Sequence, residues 1–481
     1  MKLAKNLILN TDSYKVSMFK QYPAGTTGVY SYIESRGGRY DSTVFFGLQA
    51  FIKEYLLQPI TQGDIDIADA VLTAHGEPFN REGWQYILDK HNGYLPIVIR
   101  AVPEGTVVPV KNVLATIENT DPNVPWLTTW VETPILRAVW YGTTVATQSK
   151  FIKNIILEYL EKSGDPTTIG FKLHDFGARG VSSLESAGLG GAAHLVNFMG
   201  TDTITGLLYA REFYSADMAG FSIPAAEHST ITSWGRDNEV DAYRNMVRQF
   251  GKPGAILAVV SDSYDIYNAC RMWGTELKED VVASGATVVI RPDSGDPVEV
   301  LPKMIQILGE KFGYTVNDKG YKVLNNVRLI WGDGINQLSI RSILGVLVDL
   351  NGWSADNIAF GMGGALLQQL DRDTQKFAMK CSAIRVSVPM VDVFTREDAG
   401  NADEWIDVFK DPITDKVKAS KKGRVTLWTN SGNEFATSVT APSGWTDRGI
   451  GSWTEALIEV YRDGKLITDY TFDEVRANSM K

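Results

Sequence analysis

Five histidines occur in 481 residues, at positions 75, 91, 174, 194 and 228, and three of them fall between 174 and 228. Imidazole is the side chain best suited to moving protons or phosphate near neutral pH, so chemistry is sought first in this stretch. Glu227-His228-Ser229 follows the apolar Ile223-Pro224-Ala225-Ala226. A histidine at a strand end beside a glutamate can be a general base, or a nucleophile that carries phosphate. A satisfied structural histidine is the plainer alternative. Ser261-Asp262-Ser263-Tyr264-Asp265, on the next apolar run, could supply a carboxylate that holds the imidazole in one tautomer.

Other strand-end motifs carry complementary groups. Arg291-Pro292-Asp293-Ser294-Gly295 presents arginine and aspartate side by side on a turn. The first suits phosphate or an aromatic face, the second a ribose hydroxyl or a metal; a salt-bridged turn is the alternative. Gly332-Asp333-Gly334 and Gly361-Met362-Gly363-Gly364 also follow apolar runs. Two glycine-rich turns leading into helices read as a phosphate cradle, although each alone is weak. Neither matches a Walker A loop or GxGxxG. His174-Asp175-Phe176-Gly177-Ala178-Arg179 offers an aromatic that could stack on a planar ligand, or simply anchor its turn. Asp12-Ser13-Tyr14-Lys15 adds an aromatic with a cation, by itself a capping turn. Lys416 to Arg424 holds five basic residues in an acidic chain, either a solvated loop or a collector for polyphosphate.

The elements that position these groups recur. From Asp175 through Asp202, His228, Asp262, Asp293 and Asp333 to Gly361, short apolar runs end in polar or glycine motifs about every 30 residues, the length of a strand-helix-strand unit. Helix-like stretches such as 241–250 lie between them. Functional ends on so many strands favour an irregular (β/α) barrel-like domain over an open doubly wound sheet, which would localise function at one switch point. That domain is expected over 151–384. Residues 1–150 and 385–481 are expected to form one discontinuous α+β accessory and dimerisation domain. Gly28–Ser35 reads as a strand, Ile97–Val108 as a strand, a turn at Pro-Glu-Gly and a second strand, and Trp126 to about Lys162 as a long helix with a break near Tyr141-Gly142. Arg462-Asp463-Gly464-Lys465 is a hairpin signal.

Composition bounds the partners. The chain is 44% hydrophobic and 22% charged, with a formal net charge of −10. Nucleic acid and anionic membranes are poor partners for such a chain, and any anionic substrate needs cations gathered locally. The two cysteines, Cys270 and Cys381, exclude a disulfide framework and suit a reducing compartment. The short apolar start is not a signal peptide and no run approaches a membrane span, so a cytoplasmic protein is expected.

Taken together, the motifs closely resemble the nicotinamide phosphoribosyltransferases, of the type II phosphoribosyltransferase family. The resemblance is carried by Thr11-Asp12-Ser13-Tyr14-Lys15-Val16, His174-Asp175-Phe176-Gly177, Gly200-Thr201-Asp202-Thr203 and Pro224-Ala225-Ala226-Glu227-His228-Ser229-Thr230. It continues through Ser261-Asp262-Ser263-Tyr264-Asp265, Arg291-Pro292-Asp293-Ser294-Gly295 and Gly332-Asp333-Gly334 to Ser420-Lys421-Lys422-Gly423-Arg424, nearly the whole chain in order. It implies an NAD salvage reaction: nicotinamide and phosphoribosyl pyrophosphate give nicotinamide mononucleotide and pyrophosphate. It also implies a homodimer with shared active sites, Mg²⁺ held mainly by pyrophosphate, and ATP as a co-substrate whose phosphate passes to a histidine.

By the same resemblance, Phe176 and a partner subunit's Tyr14 sandwich the pyridine ring. Asp202, with Ser222 nearby, receives the carboxamide. Arg291 lies over the ring or near the ribose phosphate, and Asp293 near the ribose. Arg179, Gly332, Asp333, Gly363 and Gly364 line the phosphate end, while Arg36, Arg372 and Lys380 hold pyrophosphate or ATP phosphates. His228 is the phosphorylated histidine, with Glu227 beside it and Asp265 as its orienter. Ala178 and Met362 depart from a tyrosine and a serine found in some relatives. The nearest alternative is a nicotinate phosphoribosyltransferase, disfavoured because a carboxylate at Asp202 repels a carboxylate substrate. A catalytically silent binding protein on the same scaffold is a further alternative.

Overall fold

The computed structural model describes residues 6–391, 398–415, 418–442 and 452–481. The chain divides into two compact units, one made of 1–147, 212–215 and 371–481, the other of 148–211 and 216–370. The first takes up its C-terminal part from Asp371, ahead of the expected 385, because the strand Phe377–Val391 pairs along Thr26–Ser35.

The second unit carries the strand-end motifs. Six parallel strands stand in the order Gly200–Thr201, Leu173–Asp175, Ile358–Met362, Val327–Trp331, Thr287–Arg291, Ile256–Val260. These strands read as continuous apolar runs rather than alternating ones because both faces are covered. The two edges are joined by the segment 221–226. Thr201 N–H donates to Phe221 O at 3.0 Å, Ala258 N–H to Pro224 O at 2.9 Å, and Ala226 N–H to Ala258 O at 2.9 Å. The staves therefore follow one another around a barrel in chain order. The expected strand at Ile223–His228 is only an irregular stave, since Pro224 has no N–H to give a ladder. The wide interval between Asp293 and Asp333 holds the helix Pro297–Phe312 and a small hairpin, Tyr314–Val316 with Lys322–Leu324.

Helices return the chain between staves, and their starts are written locally. Asp296 accepts from Val298 N–H ahead of Pro297, and Asp265 accepts from Tyr267 and Asn268 N–H at the head of Ile266–Gly274.

The first unit is an antiparallel seven-stranded sheet that interleaves both chain ends. Thr26–Ser35 pairs with Phe377–Val391 and Val113–Asn119, and Ile97–Ala101 pairs with Val113–Asn119 and Ile458–Arg462. The two strands expected within 97–108 both form, but they do not pair with each other. Val107–Pro109 pairs instead with Ser42–Val44. Asp463 and Gly464 take φ of 48° and 83°, the left-handed pair that a two-residue hairpin between Arg462 and Lys465 requires. Three mutually tilted indoles, Trp84, Trp126 and Trp130, fill the core beneath the sheet. The helical break falls at Val131, between Leu127–Trp130 and Glu132–Ser163, and the second helix runs unbroken through Tyr141-Gly142.

Candidate active site

Phe176 is the first residue beyond the stave Leu173–Asp175, and its N–H donates to Met362 O at 3.0 Å. Its ring lies directly over the Cα of Gly361. A methyl group built there would sit 1.9 Å from Phe176 Cε2. The Arg291 guanidinium stands over the same ring at 5.6 Å, and donates to Asp293 Oδ1 at 2.7 Å. Arg291 Nε is buried and has no hydrogen-bond partner among the described residues. Aromatic face, cation and carboxylate are thus stacked in one corner, with a donor to spare.

At the neighbouring stave end Asp202 is exposed, and Ser222 Oγ donates to its Oδ1 at 2.5 Å. Beneath it lies Asp175, fully buried. Gly177 N–H donates to Asp175 Oδ1 at 2.7 Å, while Oδ2 has no hydrogen-bond partner among the described residues. Burial pushes this carboxyl up to about 6. The Gly177 N–H and the nearby Thr203 hydroxyl oppose the shift, and the charge of Asp202 adds to it.

His228 begins a short helix with Glu227 at its N-cap, and Ser229 Oγ donates to Glu227. Its Nε2–H donates to Asp262 Oδ1 at 2.9 Å. Asp262 Oδ2 accepts from Asp293 N–H at 2.9 Å and from Ser294 Oγ at 2.5 Å. Burial works to raise the Asp262 carboxyl, but the bonds from Ser294, His228 and Asp293 outweigh it and hold the group below its usual range. The imidazole is therefore oriented by Asp262, not by Asp265, whose carboxylate is spent on the helix start at Tyr267 and Asn268. A carboxylate accepts only from N–H, so Nε2 carries the proton and Nδ1 presents its lone pair.

The glycine turns complete the rim. A Cβ built at Gly332 would reach ordinary contact with Phe176 and Asp293, and one at Gly363 with Phe176 O. A Cβ at Gly364 would meet nothing within 4 Å, so backbone there is open to a ligand. Asp333 and Arg179 are exposed, on turns that follow their staves. His174 and His194 play other parts. His174 bonds Phe171 O at 3.0 Å and packs on Gly200. His194 is buried between Ser149 Oγ at 3.0 Å and Leu173 O at 3.2 Å.

Four expected site residues lie in the first unit. Tyr14 is 56% exposed on the turn Ser13–Lys15, with Lys15 Nζ 5.0 Å from its ring centroid. Arg36 Nε donates to Glu34 Oε1 at 3.2 Å, and its Nη2 is buried with no hydrogen-bond partner among the described residues. Lys421, from the basic run, pairs with the same Glu34. Burial lowers Lys380, as do the charges of Arg36, Lys15 and Lys410, against the attraction of Glu132. Arg372 pairs with its neighbour Asp373 at 3.0 Å, on a loop joined to that of Arg36 through Arg36 N–H to Lys376 O and Arg39 N–H to Thr374 O. Within the basic run, Lys416 and Val417 lie outside the described residues, and Arg424 is bonded to Glu118 at 2.8 Å.

Sequence reasoning passed over Asp262 as the specific partner of His228, Asp175 beneath Asp202, and Gly361 as the seat of the aromatic ring. Asp before an aromatic and a glycine is a turn signal that could have found Asp175.

The fold, a parallel barrel and an interleaved antiparallel sheet, is shared with solved structures. The nicotinate-nucleotide pyrophosphorylase of Pyrococcus furiosus superposes with a TM-score of 0.62 at 14% identity, covering 100% of this chain and 96% of that one. Human nicotinic acid phosphoribosyltransferase superposes with a TM-score of 0.53 at 14% identity, over 98% and 92%. Residues 171–404 match the nicotinate phosphoribosyltransferase (NAPRTase) family, and residues 6–99 match the N-terminal domain of nicotinamide phosphoribosyltransferase. The nicotinamide phosphoribosyltransferase of Xanthomonas campestris is 56% identical over 482 residues, covering 100% of this chain and 99% of that protein. The chain belongs to the nicotinamide phosphoribosyltransferase family.

Proposed function

We propose that this protein transfers the 5-phosphoribosyl group of phosphoribosyl pyrophosphate to nicotinamide, giving nicotinamide mononucleotide and pyrophosphate for NAD salvage. The observation that carries the reading is the Phe176 ring beneath the Arg291 guanidinium, with the Asp202–Ser222 pair at the next stave end. Phe176 is only partly buried, and a flat pyridine can stack on such a ring. Asp202 accepts from a carboxamide NH₂ and repels a carboxylate in its place. The ring nitrogen attacks ribose C1′ without losing a proton, so it needs positioning rather than a base. Pyrophosphate leaves as C1′ becomes oxocarbenium-like. Arg291, whose Nε is unused, and the open backbone at Gly363-Gly364 receive the phosphate end.

Among the described residues no group of three or more acids, histidines or cysteines is placed to hold a metal ion. The exposed Asp333 carboxylate, an oxygen donor of the kind Mg²⁺ takes, fits an ion carried mainly by substrate phosphates. Mg²⁺ bound in that way neutralises charge on the departing pyrophosphate.

His228 couples the reaction to ATP. Nδ1 attacks the γ-phosphorus, an N–P bond forms as the P–O bond to ADP breaks, and Asp262 balances the charge on the ring. A homodimer supplies the Tyr14 face and the Arg372 and Lys380 cations from a second copy, while Arg36 serves the phosphates as well. No helix among the described residues is long and apolar enough to cross a membrane. The two free cysteines suit the reducing cytoplasm in which we place the protein. Pyrophosphate release with nicotinamide or nicotinate, each with and without ATP, tests the reading. Nicotinamide should be favoured at least about 100-fold, and preference for nicotinate overturns the assignment. His228→Ala should keep basal turnover and lose the ATP stimulation.

A further inference from the structure

Asp175 takes no part in the reaction proposed above, yet it touches both of the groups that read the base. Its Oδ1 accepts from Gly177 N–H at 2.7 Å, which closes a turn around Phe176. Its backbone carbonyl accepts from Asp202 N–H at 2.9 Å. Phe176 is held from the other side by Met362 O, so ring and carboxylate hang from one residue. The cost of this arrangement is visible. The carboxyl is fully buried, and Oδ2 has no hydrogen-bond partner among the described residues. A buried acid whose second oxygen has no more than the Thr203 hydroxyl nearby is a poor device for stability, and an apolar residue would serve the core at least as well. Its value must therefore lie in what Oδ1 and the main chain position.

We propose that Asp175 is a positioning residue for the pyridine base, fixing the Phe176 turn through Oδ1 while its own carbonyl anchors Asp202. The proposal rests on the reading of Phe176 and Asp202 as the contacts to ring and carboxamide. It assigns the effect to the side-chain acceptor, not to the charge.

Three variants of the full-length protein separate the possibilities. Asp175→Val removes the acceptor and keeps the volume. It should raise KM for nicotinamide about tenfold or more, leave KM for phosphoribosyl pyrophosphate and kcat at saturation within about threefold, and leave the melting temperature equal or higher. Asp175→Asn keeps an acceptor for Gly177 N–H and should restore KM to within about threefold of the parent. Asp175→Ala gives the same comparison should the valine variant fail to fold. Parent-like KM in Asp175→Val, or an equal rise in Asp175→Asn, overturns the proposal. So does failure of both acceptor-less variants to fold, which makes the carboxyl a determinant of folding. Asp202→Asn, measured alongside, isolates the underlying reading: an unchanged ratio of nicotinamide to nicotinate turnover there defeats the amide-reading role itself, independently of Asp175.

Discussion

The two ends of the barrel use the same kinds of side chain to opposite effect. At the ends where the staves begin, Lys172 is buried and its ammonium donates to the carbonyls of Ala355, Asp356 and Ile358 at 3.0–3.3 Å. Arg328 donates there to Leu324 O and Val327 O. Cations at this end are consumed by main chain. At the ends where the staves finish, Arg291 keeps a buried Nε idle, Asp175 an Oδ2, and Ser263 a hydroxyl. Among the described residues several such atoms, their polar capacity unmet, gather at this end. Such capacity costs stability and is kept where a ligand can use it, the division expected of a (β/α) barrel.

Exchanging charges between these ends should break the comparison in different currencies. Arg291→Ala is expected to give the largest effect, a loss of about 1000-fold in kcat/KM, because its guanidinium spans the ring, Asp293 and the proposed phosphate end. Unfolding free energy should change by less than about 1 kcal/mol, since the Arg291–Asp293 pair is partly exposed. Steady-state kinetics and urea unfolding of one preparation check both. Arg291→Lys should recover little, because a point charge cannot cover a ring and pair with Asp293 together.

Lys172→Met should do the reverse. Three carbonyls lose a charged donor in a site where burial has already brought the ammonium down to about 8. A stability loss of about 4 kcal/mol is expected, with kcat and both KM values of the folded protein unchanged. A kinetic defect in Lys172→Met as large as that of Arg291→Ala would erase the distinction between the ends.

How much of this was legible beforehand follows the same division. The recurrence from Asp175 to Gly361 placed every stave, because a strand-helix-strand unit has a nearly fixed length and each strand end carried a polar or glycine motif. The irregular stave at 223–226 was misread as a strand although Pro224 was in plain view. The bonds that join it to both edges come from Phe221, Pro224 and Ala226, and no local pattern shows them. Asp262 and Asp265 are the same residue type, three positions apart. Only the fold decides that one faces His228 while the other caps a helix. Asp175 looked like part of a motif, and its burial depends on strands far away in the chain. The contribution of a partner's Tyr14 rested on resemblance alone.

Gly361→Ala sharpens the comparison at the working end without touching a charge. A Cβ there would sit 1.9 Å from Phe176 Cε2, so the ring must swing away from Arg291 and from its base. The core below is not opened and no hydrogen bond is lost. The expected outcome is a rise of about tenfold in KM for nicotinamide, roughly 1.4 kcal/mol, with KM for phosphoribosyl pyrophosphate unaltered. Titration of the variant with nicotinamide against its fluorescence or its rate reads this directly. Equal rises for both substrates would mean that the glycine serves the phosphate end instead.

The smallest effect concerns the buried acid. Asp175 titrates near 6 in the folded chain and near 3.9 when unfolded. Between those values the folded state binds more protons than the unfolded one, so stability falls as pH rises through the window, and above it the full cost of the buried charge is present. Asp175→Asn keeps the Gly177 bond and does not titrate. Its stability relative to the parent should therefore grow with pH, by about 1 kcal/mol between pH 5 and 7.5. Groups that do not interact with position 175 titrate alike in both chains and cancel in the difference. Urea unfolding of the pair at the two pH values makes the measurement. A difference that stays flat as pH rises would show a carboxyl already ionised and well solvated at the stave end, with no idle polar capacity there to set against the carbonyl-bound Lys172 at the other.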